Sequence, residues 1–314
     1  MKNVHKLTEG AILLASMAAL ILISTYVPIV GGFVVIAIPI PFILFSAKNN
    51  IKMITAFCIA AVFISFFAGS LRGLALMLIH GSAGVVIGYL VQKNKSRNFI
   101  LLASTLILTI GMVIFYSVSA AFFQLDIIHE LKTSVNESVK QSEEILKTQG
   151  QEEQLEKLQE QGNLMINQIT TLAPSYLIFT AVSASFFIQW ISFPVVKRFG
   201  VNVQPWGSFR NLSLPKSLLW YYLISLGAML LFHPHEGTYV YSVLINAKYL
   251  LEIIMTVQGL AFLFYIFHQR SVAKGLGVLV VILTLMIPIV RYIIMVLGIT
   301  DLGFDFRRQF EKKE

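Results

Sequence analysis

Cysteine is nearly absent from this chain: Cys58 is the single one in 314 residues, and it sits inside an apolar run. One thiol excludes an internal disulfide framework and a cysteine-built metal site. Charge is scarce as well. Asp, Glu, Lys and Arg make up 13% of the residues, against about 25% in a typical soluble domain. The patterns that mark catalysis are missing, with no HExxH, no GxSxG and no Walker A loop. No nucleophile is paired with a base inside one recognisable unit. The chain is therefore read as a non-enzyme with no cofactor. His233, His235 and Glu236 in "HPHEG" place three donors on a short loop with no fourth ligand in view. That pattern is read as a solvated loop, and no metal is expected there.

What the chain has in abundance is apolar sequence. Hydrophobic residues make up 56% of it, and the mean hydropathy is +0.76. A helix needs about 20 mainly apolar residues to cross the hydrocarbon core. Nine segments are candidates: roughly 8–27, 30–46, 53–70, 72–91, 99–123, 173–193, 217–232, 241–267 and 275–297. The second and seventh are short. The second holds Pro39 and Pro41 in "AIPIPF". Proline removes a backbone donor, so this span should kink or partly unwind and lie against other helices. Lys2 and Lys6 precede the first run as in a signal peptide. No convincing small-residue cleavage site follows, so the run is read as a retained first helix.

The net charge of +8 raises the question of nucleic acid, and its distribution answers it. Lys2, Lys6, Lys48, Lys52, Lys93, Lys95, Arg97, Lys197, Arg198, Arg210, Lys216, Arg270 and Lys274 are 13 of the 24 basic residues, and they fall in alternate connections. The positive-inside rule puts those connections, with the N-terminus, in the cytoplasm. Topology explains the basic excess, and no nucleic-acid partner is expected. The chain is placed in a cell membrane facing the cytoplasm, with the lipid bilayer as its surroundings. Nine spans leave the tail outside, although it holds Arg307, Arg308, Lys312 and Lys313. Asp301, Asp305, Glu311 and Glu314 balance these; eight spans with the tail inside is the alternative.

Residues 124–172 form the one sizeable polar segment, with nine acids and four lysines. Apolar residues recur at Ile128, Leu131, Val135 and Val139, then at Leu155, Leu158, Met165, Ile169 and Leu172, with helical spacing. Gly150 between the two series is the expected helix stop. The spacing predicts an extracytoplasmic helical hairpin continuing spans five and six outward. Its arms either pack only on each other, or the hairpin docks a partner or covers a ligand entrance. The expected architecture is thus all-α: a polytopic transmembrane bundle of about nine spans. It divides into spans one to five (1–123), the hairpin (124–172), spans six to nine (173–297) and a charged tail (298–314).

Ionisable residues inside a membrane are costly, and by default they point to function. His80 lies near the centre of the fourth span. Lys248 and Glu252 are four apart in the eighth, on one helix face, and Arg291 lies in the ninth. These last three either pin two helices as an ion-pair group or line an outward-facing pocket for an anionic or zwitterionic small molecule. Small residues are the other theme. Gly69 and Gly73, and Gly84 and Gly88, have spacing that lets helices approach closely. Ala11, Ala15 and Ala19 stack on one face of the first helix, facing either this chain's own helices or a separate partner.

The order of features resembles the YybS-type family of bacterial multi-pass membrane proteins. The features are the "LTEGAILLAS" opening, "PIPF" in the second span, the acidic hairpin after span five, "RFGV" and "PW" in one cytoplasmic loop, and the "DLGFDFR" tail. This resemblance implies an architecture rather than an activity. The first ~195 residues also resemble the substrate-binding S component of energy-coupling factor vitamin transporters. Those have six helices, an early short span with proline, and a first-helix AxxxA motif that docks on a transmembrane coupling subunit. Ala11, Ala15 and Ala19 match that motif. The resemblance implies a six-helix core, a small-molecule ligand and transport powered by partner ATPases. The chain departs from it in its 49-residue outer hairpin, its three further spans and the lack of a vitamin-specific pattern. The second function reading is a membrane scaffold or assembly factor for cell-envelope partners, holding one at the hairpin. An intramembrane enzyme is a third, with no motif behind it.

Overall fold

A computed structural model describes residues 2–124, 126–149, 151–304 and 306–307. Among them every regular element is a helix. Two compact units emerge: Met1–Thr133 with Tyr176–Pro205, and Ser134–Ser175 with Trp206–Glu314. Gly150 and much of the tail beyond Phe304, including Asp305, Arg308, Glu311, Lys312, Lys313 and Glu314, lie outside the described residues.

The first unit starts with α1 (Lys2–Tyr26). The second span is broken, as its prolines predict. A short α2 (Val30–Val34) passes into a 3-10 turn (Val35–Ala37), and α3 (Pro39–Lys48) begins on Pro39, where a missing N–H costs nothing. α3 is the most enclosed element of the unit, with Pro39, Pro41 and Phe42 through Ser46 all buried. Glu9 and Lys48 meet at 2.8 Å and tie the start of α1 to the end of α3. α4 (Ile51–Leu76) breaks at Gly69 and Ser70, where φ swings from −140° to 52°. A Cβ on Gly73 would lie 2.6 Å from the carbonyl oxygen of Ser65. Eight residues of straight helix would hold those positions about 12 Å apart, so the chain reverses here. A π-turn (Met77–Gly81) leads into α5 (Ser82–Gln92). α5 presses its Gly84 onto α3, where an added Cβ would be 2.7 Å from the Pro39 carbonyl. α6 (Arg97–Phe123) and the last part of α8 (Leu155–Arg198) complete the unit. Its core joins Ile43, Leu44, Ile87, Leu108, Ile188 and Phe193.

The second unit holds most of a helical hairpin, formed by α7 (Ile127–Thr148), whose start up to Thr133 belongs to the first unit, and by the first part of α8. Val135, Val139, Leu155, Leu158, Ile169 and Leu172 are half-buried, whereas Leu131 and Met165 are exposed rather than in the seam as expected. The reason is the close approach at Gly162, where a Cβ would lie 2.7 Å from a methyl of Val139. That approach turns Ile166 inward in place of Met165. The unit continues with α9 (Lys216–Phe232), α10 (Tyr239–Gln269), α11 (Lys274–Met286) and α12 (Pro288–Phe304).

The expected count of nine spans is not confirmed. Six helices are long and apolar enough to cross a membrane, or seven if the pair 275–286 and 288–304 is one span. The count differs at three places. Ile51–Gln92 counts as one 42-residue helix although it contains the reversal at Gly69 and Ser70. α9 is a shorter apolar helix. The expected ninth span is broken at Ile287, and its halves are bent by 113°. The bend sends the chain back. Gln258 of α10 meets Asp301, and Phe262 stacks near Phe306. Contacts therefore advance along both helices together, and α10 and α12 run parallel. α11 must climb back between them, so α11 and α12 form a re-entrant pair. Residues 298–304 also belong to α12, not to a charged tail.

Candidate functional site

Two glycines set the register of α10 on α12. A Cβ on Gly259 would lie 3.0 Å from the Gly298 nitrogen, and one on Gly298 would lie 2.7 Å from the Gly259 nitrogen. Glu252 precedes Gly259 by seven residues, and Arg291 precedes Gly298 by seven. On parallel helices both side chains therefore stand at one level, about 10 Å from the crossing. Glu252 pairs with Lys248 at 3.0 Å, and their side chains keep 16% and 27% of their exposure. Tyr222 of α9, itself buried, lies within electrostatic reach of Glu252, Lys248 and Tyr292. Arg291 takes no part in the ion pair. It is exposed, and its guanidinium lies 5.7 Å from the ring centre of Tyr292. The group is a closed Lys–Glu pair, with an arginine beside it that has no carboxylate partner among the described residues.

Below the crossing lies a second polar group that the sequence does not reveal. Asp301 is almost fully buried, and Gln258 is fully so. The Gln258 amide donates to Asp301 Oδ2 at 2.6 Å and accepts from the Leu214 N–H at 3.0 Å. Arg307 Nε donates to Asp301 Oδ2 at 3.0 Å, and Arg307 Nη1 donates to the Arg210 carbonyl at 2.9 Å. Phe262 and Tyr265 flank its guanidinium. The start of the tail is thus held against the connection between α8 and α9.

A third arrangement splices two helices. Pro174 interrupts the hydrogen-bond ladder of α8. The Ser175 N–H donates to Asn246 Oδ1 at 3.0 Å, and Asn246 Nδ2 donates to the Thr171 carbonyl at 2.7 Å. The Asn246 carboxamide stands between two groups that would otherwise bond each other, and it ties the root of the hairpin to α10. "TLAPSY" carries the proline as a signal, but its partner lies 71 residues away.

In the first unit His80 sits on the π-turn, partly buried, with Nδ1 lacking a hydrogen-bond partner. π-turns recur at functional sites. His80 belongs to the first unit, and Lys248, Glu252 and Arg291 belong to the second. Arg97 is nearly buried, 4.2 Å from the Phe193 ring, and its guanidinium donates to the Gln189 and Gln204 carbonyls. Beside it Ser104, Ser185 and Gln189 hydrogen-bond one another in the core. Ala11, Ala15 and Ala19 are all exposed. α1 packs through Gly10, Met17, Ile21 and Ser24 instead. Among the described residues no group of three or more His, Cys, Asp or Glu is placed to hold a metal.

Comparison with known proteins bears on the chain as a whole. The family model described as "Predicted membrane protein (DUF2232)" matches residues 15–302. The chain is 30% identical over 310 residues to "Uncharacterized protein YybS" of Bacillus subtilis (strain 168), covering 98% of this chain and 99% of that protein. No solved structure matches.

Proposed function

We propose that this chain, which belongs to the DUF2232 family of predicted membrane proteins, is the small-molecule-binding membrane subunit of a transport system. In this reading it works in the manner of an S component. It binds a solute from outside and depends on a separate coupling subunit with ATPases for energy, since it carries no nucleotide loop of its own.

The observation that supports this reading is the alanine face of α1. Three alanines four residues apart leave a groove about 12 Å long, and the helix turns that face away from its own unit. Lipid tails pack no better on alanine than on leucine. A second helix does, because small side chains let backbones approach. The basic connections, under the positive-inside rule, put the N-terminus and the α8–α9 loop in the cytoplasm. In this reading the start of the tail, held by Arg307 to the Arg210 carbonyl, lies on the same side. The reversal in α4, taken as separating two spans, supports reading the first unit as a six-span core of this kind.

The test is purification of the full chain in native lipids. A coupling subunit and ATPases should copurify, and Ala15→Trp should abolish that association while leaving the chain inserted. Unchanged association would remove the docking role of this face. The second reading, a scaffold or assembly factor for cell-envelope partners, draws support from apolar residues left exposed on the outer hairpin, Leu131, Ile145, Leu164 and Met165. Copurification of an envelope-assembly protein in place of the ATPases would favour it.

A further inference from the structure

The bend between α11 and α12 leaves irregular backbone and charged side chains at membrane depth. Asp301 is level with Leu214 and Arg210, in the connection that leaves the helices. Arg291 lies ten residues above it along α12, about 15 Å, or half the ~30 Å hydrocarbon core. From the opposite end, Lys248 lies nine residues inside the start of α10, about 14 Å. Non-helical backbone at such depth is tolerated only inside protein or along a water-filled cavity. Charged side chains there carry the same implication.

The side chains that meet at this depth are complementary to one kind of ligand. Lys248 is paired with Glu252, and Arg291 stands at the same level, so the three side chains carry one positive charge in excess. The ion pair uses Lys248 and leaves Arg291, a planar fork of donors suited to oxyanions. Arg291 is also on the packed face of α12: the buried Met295, Gly298 and Leu302 follow it at helical spacing. Its backbone position is thus on the side of α12 that packs on α10, while the side chain itself stays exposed and open to an incoming solute. Tyr222 and Tyr292 add hydroxyl donors.

We infer that the tip of the re-entrant pair, built from Arg291, Lys248, Tyr222 and Tyr292, is a binding site for the carboxylate or phosphate group of a small solute entering from the outer face. A headgroup of a bilayer lipid carries the same chemistry, but its phosphate stays at the surface, about 15 Å away from this level. The inference rests on the ligand-binding part of the function proposed above and not on the alanine face. A chain that keeps its coupling partner yet shows no preference for anions would remove this inference alone.

The test uses the full chain with Cys58→Ala and Ile287→Cys, reconstituted in sealed phosphatidylcholine vesicles. Ile287 is one turn from Arg291 and exposed. Two thiol reagents of similar size are compared from the outer side, one bearing a sulfonate and one a trimethylammonium group. The sulfonate reagent should react faster by roughly tenfold, the effect of one nearby positive charge, and millimolar inorganic phosphate should slow it. Arg291→Gln should abolish the preference, and Arg291→Lys should keep it, which separates lost charge from misfolding. No reaction with either reagent would overturn the inference, as would a preference unchanged in Arg291→Gln. Slowing by added anionic lipid but not by phosphate would assign the site to a lipid instead and equally overturn it.

Discussion

If α10 and α12 are held by backbone contact at Gly259 and Gly298, a single methyl group on Gly298 should part them. The added Cβ in Gly298→Ala would lie 2.7 Å from the Gly259 nitrogen and 3.0 Å from the Met255 carbonyl carbon, and would run into the Met255 oxygen. Both neighbours are backbone, so no side chain can swing aside. Ordinary contact near 3.5 Å requires the helices to separate by about 1 Å. The Gln258–Asp301 bond, 2.6 Å long, would then stretch past hydrogen-bonding range. Overpacking costs about 1–3 kcal/mol. The lost bond to a carboxylate adds about 1.5–3 kcal/mol, and the better helix propensity of alanine returns up to about 1 kcal/mol. A net loss of about 3 kcal/mol lowers the Tm by roughly 6–12 °C for a chain of this order of size. Thermal unfolding of the detergent-solubilised full chain measures it. Gly303→Ala is the control on the same helix, since its Cβ meets nothing closer than Leu219 at 3.7 Å. A drop for Gly298→Ala no larger than for Gly303→Ala would refute the packing, and with it the register that sets Arg291 level with Glu252.

Two further predictions concern the polar groups beside this contact. Asn246→Leu removes the carboxamide that bridges Ser175 and Thr171. Those two can bond each other in part, so the expected cost is about 2 kcal/mol, near the cost of one unsatisfied group. Faster proteolysis at 171–175 in the folded full chain should accompany it, and an unchanged cleavage rate would count against the splice. Asp301→Asn leaves the Arg307 charge without its partner and should cost about 3 kcal/mol. Arg307→Gln in the same chain should recover part of that loss, so additive effects in the double-mutant cycle would reject the coupling.

Much of the architecture was legible because it is local. Apolar runs announce membrane helices, since lipid offers no partner for backbone N–H and C=O groups. The break in α4 falls at Gly69 and Ser70, between the segments read as the third and fourth spans. Pro39 and Pro41 announced the broken second span. The hairpin followed from 3–4 spacing, although Met165 and Ile166 exchanged roles because the seam is set by Gly162 against Val139, a contact between distant residues. The ninth run looked like a full span because hydropathy does not register direction. Only Pro288 hinted at the bend.

By itself, then, the sequence determined that this is a multi-pass helical membrane protein with a polar helical hairpin, and which residues are costly to hold in lipid. Those properties depend on composition and on neighbours within a few turns. The tertiary structure alone decided which groups meet: Asn246 with Ser175, Asp301 with Arg307, Glu252 with Lys248 but not with Arg291. It also decided that the alanines of α1 face outward while Met17 and Ile21 face in. Such pairings depend on where helices cross. A crossing is set by close packing between residues far apart in the chain, as Gly259 on Gly298 shows, and no local pattern encodes it.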